Sequence, residues 1–424
     1  MANYQNQFGA FQFAMKDRYD KVKMVRNLTE GERPLLAMLA KETDFSGDGT
    51  HVPLIFGRPQ GVAVGASTSA SGSLNTAQTN ASNLEGRKFI LTAGEMVGSV
   101  TIADKTIQGS RNNMGAFFKA RAAECDNLIE QMADDIAHHL YGNGGLALAQ
   151  SSTAVPVAGN VITLSNVDEA YAFEVAMVIS ASSDDGTGGV AGRVGSATIT
   201  AVDRENGTIT VDNIAGITGF TDGDYIFRDG TYSAAGDTDQ LLVGLSGYLW
   251  HDNAPPVLYS MNRTADPTRL AGCRLTADEI KGKSSEQRLR ALGTAMTGRY
   301  KGKGGDYAFV NPEDWDQIVT SLSARGIRSF KDESTKFGFE VIEFTAGGKR
   351  IKLVPDPFCP KGTAFILRMK DWKLWSMGEL IAPIQEDGQV ILRGAQTNTY
   401  EFRARSYPVL ACMAPGYSGR VSLS

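Results

Sequence analysis

The chain has 424 residues, of which 42% are apolar and 21% charged, with 42 Lys+Arg against 47 Asp+Glu. That is globular composition, which excludes disordered and fibrous classes. The net charge of −5 argues against nucleic-acid binding as the main task, and no apolar run approaches the roughly 18 residues of a membrane span.

The polar start MANYQNQFGAFQFAMKDRYDK lacks a secretory h-region, so a soluble, cytoplasm-made protein of about two or three domains is expected. Residues 1–50 read as an arm with one small helix at Pro34–Leu39, proline taking the first helical position. From His51 the pattern turns β-like in two runs, His51–Val64 and Lys88–Ile102, around the small-residue tract Gly65–Ser73. This spacing predicts a long two-stranded ribbon over 51–107, too marginal to stand alone in water and therefore laid on something else.

Asn112 to Tyr141 carries Phe118, Ala122, Cys125, Ile129, Met132, Ile136 and Leu140 at spacings of three and four, which predicts one long amphipathic helix within 108–146. Gly142-Asn143-Gly144-Gly145 supplies its stop. Between 151 and 236 five strand-like runs, Val161–Leu164, Ala176–Ile179, Ala197–Val202, Thr208–Val211 and Tyr225–Phe227, alternate with turn residues, and Asn206-Gly207 sits in a predicted hairpin. A small all-β domain inserted here is the natural reading.

Residues 241–378 read as mixed α/β, with a capping box at Thr276–Glu279 and a helix over 285–300. Tyr307–Val310 predicts a buried strand feeding Asn311-Pro312-Glu313-Asp314-Trp315, an N-cap, an N1 proline and two first-turn acids. Strands dominate 379–424. In the last run Tyr400, Phe402 and Ala404 alternate with Glu401, Arg403 and Arg405. The charged side is either an ordinary solvated face or a subunit interface, for which arginine's bidentate geometry is suited.

Signals for chemistry are few. Four scattered cysteines form no C-x-x-C pair and read as buried thiols. His138 and His139 point about 100° apart on one helix and read as solvated or partner-facing. Asp44–Gly49 resembles the opening of an EF-hand loop, but Ile55 stands where the closing glutamate belongs, so a turn is expected. Lys301–Gly305 precedes a strand instead of opening a helix, unlike a phosphate loop. Gly244–Tyr248 lacks the second glycine of a nucleophile elbow. No catalytic, cofactor-binding or metal-binding residue is assigned.

Taken in order, the elements resemble the HK97-type major capsid protein fold of tailed bacteriophages, an α+β fold. The resemblance rests on Val52–Phe56 entering the ribbon, the Asn112–Tyr141 helix, Phe309–Trp315, and the terminal Tyr400–Val409 strand. It implies an N-terminal arm (1–50), an E-loop (51–107), the P-domain spine helix (108–146), an insertion domain (151–236), an A domain (241–378) and closing P-domain strands (379–424). It further implies a non-enzymatic shell subunit, its arm and ribbon buried by neighbouring copies and not within one subunit, that forms hexamers and pentamers of an icosahedral head around double-stranded DNA, assembled in a host cytoplasm and resident in the virion. Implied partners are a separate scaffold protein, a portal protein and decoration proteins, with no cofactor and no membrane. Some relatives cross-link an E-loop lysine to an asparagine; here no lysine lies between Lys41 and Lys88, which argues against it. Glu401, Arg403 and Arg405 are the candidate interface residues. An encapsulin-like nanocompartment shell is the nearest rival, and a β-rich hydrolase or carbohydrate-binding protein is the rival from another class.

Overall fold

A computed structural model describes residues 32–45, 50–55, 61–63, 73–81, 86–103, 114–232, 242–250, 257–259, 261–299, 303–324, 342–385, 389–393 and 399–423. Most of the arm, much of the ribbon tip, Ser46–Gly49, His251 and Lys301–Gly302 lie outside these residues.

The arm's described end is a short helix, Pro34–Met38, with Pro34 at its first position and Leu35 and Leu36 buried. It leads into β1 (Ala40–Glu42), which runs parallel to β15 (Trp372–Trp375). The ribbon is β2 (Thr50–Ile55) and β3 (Gly86–Leu91), antiparallel from Thr50↔Leu91 to Ile55↔Gly86. A helix not expected from the small-residue tract, Ser73–Thr79, lies between them. The second ribbon run is two strands: β4 (Met96–Ala103) leaves the ribbon and pairs along its whole length with β18 (Thr399–Ser406). Thr92-Ala93-Gly94-Glu95 separates β3 from β4.

The expectation that the ribbon finds no burial within its own subunit is overturned for the described part. Val52, Leu54, Phe89 and Leu91 are buried in the main core, and the Phe89 ring stands edge-on to Tyr248 at 5.6 Å. Period-two alternation explains this, since one face of the pair is apolar while His51 and Ile90 on the other are exposed. The arm root is likewise fastened: Arg33 Nε donates to Asp134 Oδ1 at 2.7 Å, and the Leu35 N–H donates to Asp356 Oδ2 at 3.0 Å.

The long helix is Met114–Tyr141, 28 residues, about 42 Å at 1.5 Å per residue. Cys125, Ile129, Met132, Ile136 and Leu140 are buried on one stripe, as their spacing predicts. At its end Ser246 Oγ donates to the Tyr141 carbonyl at 2.6 Å, so the serine of the rejected elbow satisfies a helix-end acceptor.

A six-stranded sheet follows, ordered β5-β10-β7-β8-β9-β6, from β5 (Ala149–Gln150), β6 (Val161–Thr163), β7 (Val178–Ser182), β8 (Ala197–Asp203), β9 (Thr208–Val211) and β10 (Tyr225–Arg228). It has its own core, including Ile162, Phe173, Ile179, Ile199, Ile209 and Ile226. Two details depart from a self-contained 151–236 unit. The sheet takes in Ala149–Gln150, and Phe227 and Tyr232 are buried in the main core, their rings stacked at 4.6 Å. The β10 alternation sends Ile226 to one core and Phe227 to the other.

A five-stranded sheet, ordered β12-β13-β11-β14-β20, combines β12 (Ile342–Ala346), β13 (Lys349–Pro355), β11 (Tyr307–Val310), β14 (Thr363–Leu367) and β20 (Gly419–Ser422). Helices Ser285–Arg299 and Pro312–Ala324 accompany it. The capping box at Thr276–Glu279 forms as predicted, and Asn311 Oδ1 accepts the Glu313 N–H at 3.0 Å. The closing segment does not return to the spine as one body. Tyr407-Pro408 ends β18, because proline offers no N–H to continue a ladder. β19 (Val409–Cys412) then joins β15, and β20 joins β14.

Candidate subunit interface

The β4–β18 pair is built from alternation on both strands. Its inner side carries Val100, Phe402 and Ala404, with Phe402 and Ala404 fully buried. Gly98 lets the sheet lie directly on the long helix, for a Cβ there would stand 2.9 Å from both Leu128 Cδ1 and Met132 Sδ. Register fixes the outer side: Thr101 opposite Glu401, Ser99 opposite Arg403, Val97 opposite Arg405.

All three predicted interface residues therefore fall on one face, beside exposed Val97, Ser99 and Thr101. The structure also changes the reading of two of them. Glu401 and Arg403, two residues apart on one strand face, pair within the chain, with Arg403 Nε donating to Glu401 Oε2 at 2.8 Å. Such a half-exposed pair contributes about 0–1 kcal/mol. Arg405 is exposed. The face continues through Tyr407, whose hydroxyl donates to Glu95 Oε1 at 3.0 Å.

Other polar contacts tie the elements around the long helix together, and nothing in the sequence signals them. Asp135 on the long helix receives two Arg228 N–H groups at 2.7 and 3.1 Å, tying β10 to the spine. Asn143 Nδ2 donates to Asp185 Oδ2 at 2.6 Å. Beside it Gly145 and Gly186 approach so closely that a Cβ on either would overlap the other loop's backbone. Asp356 accepts from the Leu35 N–H, the Tyr141 hydroxyl (2.8 Å) and the Phe358 N–H (2.9 Å). Burial raises its pKa, against these hydrogen bonds.

Among the described residues the titratable groups do not assemble a reactive centre. All four cysteines are buried thiols outside any disulfide, and burial pushes the Cys359 and Cys412 thiols well up, away from the thiolate. His138 and His139 are partly buried, not solvated, with rings edge-on at 5.5 Å. Burial lowers the pKa of both, that of His139 to about 3, where the charges of His138 and Arg228 add to it. Among the described residues no group of His, Cys, Asp and Glu is placed to hold a metal ion, and no helix is long and apolar enough to cross a membrane. Asp44 bridges to Met377 and Phe45 is buried beside Trp375, ring centroids 6.4 Å apart; Ser46–Gly49 lie outside the described residues.

No family model matches the chain, and no curated protein matches it. Among solved structures it is similar to the capsid subunit of cyanophage A-1(L), at 10% identity, 92% coverage of this chain and 93% of that one, with a TM-score of 0.46. It is similar to the encapsulin of Synechococcus elongatus, at 11% identity, 92% and 87% coverage and a TM-score of 0.41. It is also similar to a chain of the phage G major capsid and decoration protein structure, at 10% identity, 91% and 88% coverage and a TM-score of 0.39. These three structures are those of two phage capsids and an encapsulin complex.

Proposed function

We propose that the chain is a shell-forming structural subunit, a phage major capsid protein of HK97-like layout. In this reading many copies form hexamers and pentamers that close into a head around double-stranded DNA. One observation carries it: β4, which follows the ribbon, and β18, near the C-terminus, pair over eight residues, and β4 lies on the long helix. That arrangement makes a P-domain-like frame from the two ends of the chain. The five-stranded sheet between them takes the A-domain place, the six-stranded sheet that of an insertion domain. The outer face of the frame, with Arg405 exposed and Glu401 already paired to Arg403, is the surface offered to a neighbour. Scaffold, portal and decoration proteins are the remaining partners of this reading, and the virion is its location.

Negative-stain microscopy of the purified protein tests it. Shells or ring-shaped capsomers are the expected result. A species that stays monomeric on size exclusion at every concentration refutes it. Closed shells that carry an enzyme and no nucleic acid when taken from their source would assign the chain to the encapsulin-like alternative.

A further inference from the structure

Residues 151–236 hold eleven Asp and Glu, three Arg and no Lys. Eleven acids against three bases give −8, so the remainder of this −5 chain carries +3. The three arginines are already engaged, Arg193 with Asp224 at 3.0 Å, Arg204 with Glu174 at 2.9 Å and Arg228 with Asp135 at 2.7 Å.

An apolar surface stands inside this acidic region. Val167, Tyr171 and Val175 are 42%, 66% and 59% exposed. The β8–β9 loop lies beside them, for Arg204 Nη2 donates to the Phe173 carbonyl at 3.0 Å and Gly207 packs on Val167. That loop brings exposed Asp203 and Glu205 to the rim, where exposed Glu174 joins them.

The opposite charge is concentrated elsewhere in the chain. From Lys281 to Lys303 there are seven Lys and Arg and a single acid, Glu286. Glu286 is buried and paired with Arg290 at 3.2 Å. Lys281, Lys283, Arg290 and Lys303 are exposed around the Ser285–Arg299 helix.

We propose that the Val167–Tyr171–Val175 face of one copy docks on the basic surface at Lys281–Lys303 of a neighbouring copy. This rests on the shell-subunit reading. Two acidic faces would repel each other, so the contact has to join unlike surfaces. A head-to-tail contact of this kind closes rings, which hexamers and pentamers require. Tyr171 is the aromatic anchor, and the surrounding charges set register.

Zero-length carbodiimide cross-linking of assembled full-length protein, mixed from nitrogen-14 and nitrogen-15 preparations, tests the contact. Because 151–236 contains no lysine, every amide from its carboxylates to a lysine leaves the segment. Mixed-isotope products joining the Asp203–Glu205 or Glu174 peptides to those of Lys281, Lys283 or Lys303 are expected. They should fall several-fold in a Lys281→Glu/Lys283→Glu variant, in Tyr171→Ser, and in about 0.5 M salt, where screening is short-ranged. Intact shells whose products are all same-isotope, or whose mixed products use only other lysines, overturn the docking and leave the shell reading standing. So do intact shells without products. Absence of any particle in micrographs refutes the shell reading and the docking with it.

Discussion

Replacing Glu169 by glutamine should make the protein more stable at alkaline than at acid pH, relative to wild type. Glu169 sits in the turn after β6, and its Oε2 accepts the Gln150 N–H at 3.2 Å. Burial pushes its pKa up from 4.5 to about 7; that hydrogen bond opposes the shift and the charge of Asp168 adds to it. A folded-state pKa above the unfolded one means the stability is fully present below about pH 4.5 and is lost as pH rises through about 7. The rise from 4.5 to about 7, at about 1.4 kcal/mol per tenfold change in proton affinity, sets a ceiling of about 3 kcal/mol, and partial access of solvent reduces this to about 1–2 kcal/mol. Glutamine is neutral and can accept the same N–H. Urea titrations followed by far-ultraviolet circular dichroism should therefore give nearly equal stabilities at pH 4.5 and a variant about 1–2 kcal/mol more stable at pH 8. Asp134, Asp314 and Asp356 also have raised pKa values, but both proteins share them and the difference cancels their effect. An equal gap at the two pH values, or a gap that narrows toward pH 8, would refute the reasoning.

Met132→Asp on the long helix places a carboxylate where the native side chain is 2% exposed and should cost about 3–5 kcal/mol; an unchanged melting temperature would mean the buried face is misassigned. Gly186→Ala combines a positive φ of 92° with overlap onto the Gly145 backbone, so the six-stranded sheet should loosen from the helix end. Faster amide exchange in β7 and β10 is the readout, and wild-type protection there would count against the close approach. Deleting 151–236 should leave a folded remainder with a lowered melting temperature, because Phe227 and Tyr232 leave the main core. A melting temperature equal to that of the full chain would show that the two rings contribute nothing. Phe402→Ala should cost about 3–5 kcal/mol as a buried large-to-small change; a calorimetric loss below about 1 kcal/mol would contradict the packing of β18 on the helix.

Local signals were legible where periodicity or capping chemistry is unambiguous. The long helix is described from Met114 onward and ends where predicted, and Asn311-Pro312 opens its helix as its residues require. The five strands expected between 151 and 236 lie within a residue or two of β6, β7, β8, β9 and β10 at most of their ends. What sequence could not show was pairing over distance. Alternation in Met96–Ala103 predicts a strand but not that its partner is β18, and without that partner the run reads as a ribbon arm. The charged face was legible from the alternation of Glu401, Arg403 and Arg405, yet the internal Glu401–Arg403 pair was not, since two charges on one strand face can pair or point apart. Asp356 carries no motif; only the fold brings Leu35 and Tyr141 to it.

That single carboxylate has a mechanical consequence. The root of the leading segment, the far end of the longest helix and the C-terminal end of β13 in the five-stranded sheet converge on Asp356, away from water. Pulling any one of them aside strands buried donors without acceptors, at about 1–3 kcal/mol apiece. These three pieces therefore travel as a keystone block, and any flexing of the protomer must hinge elsewhere.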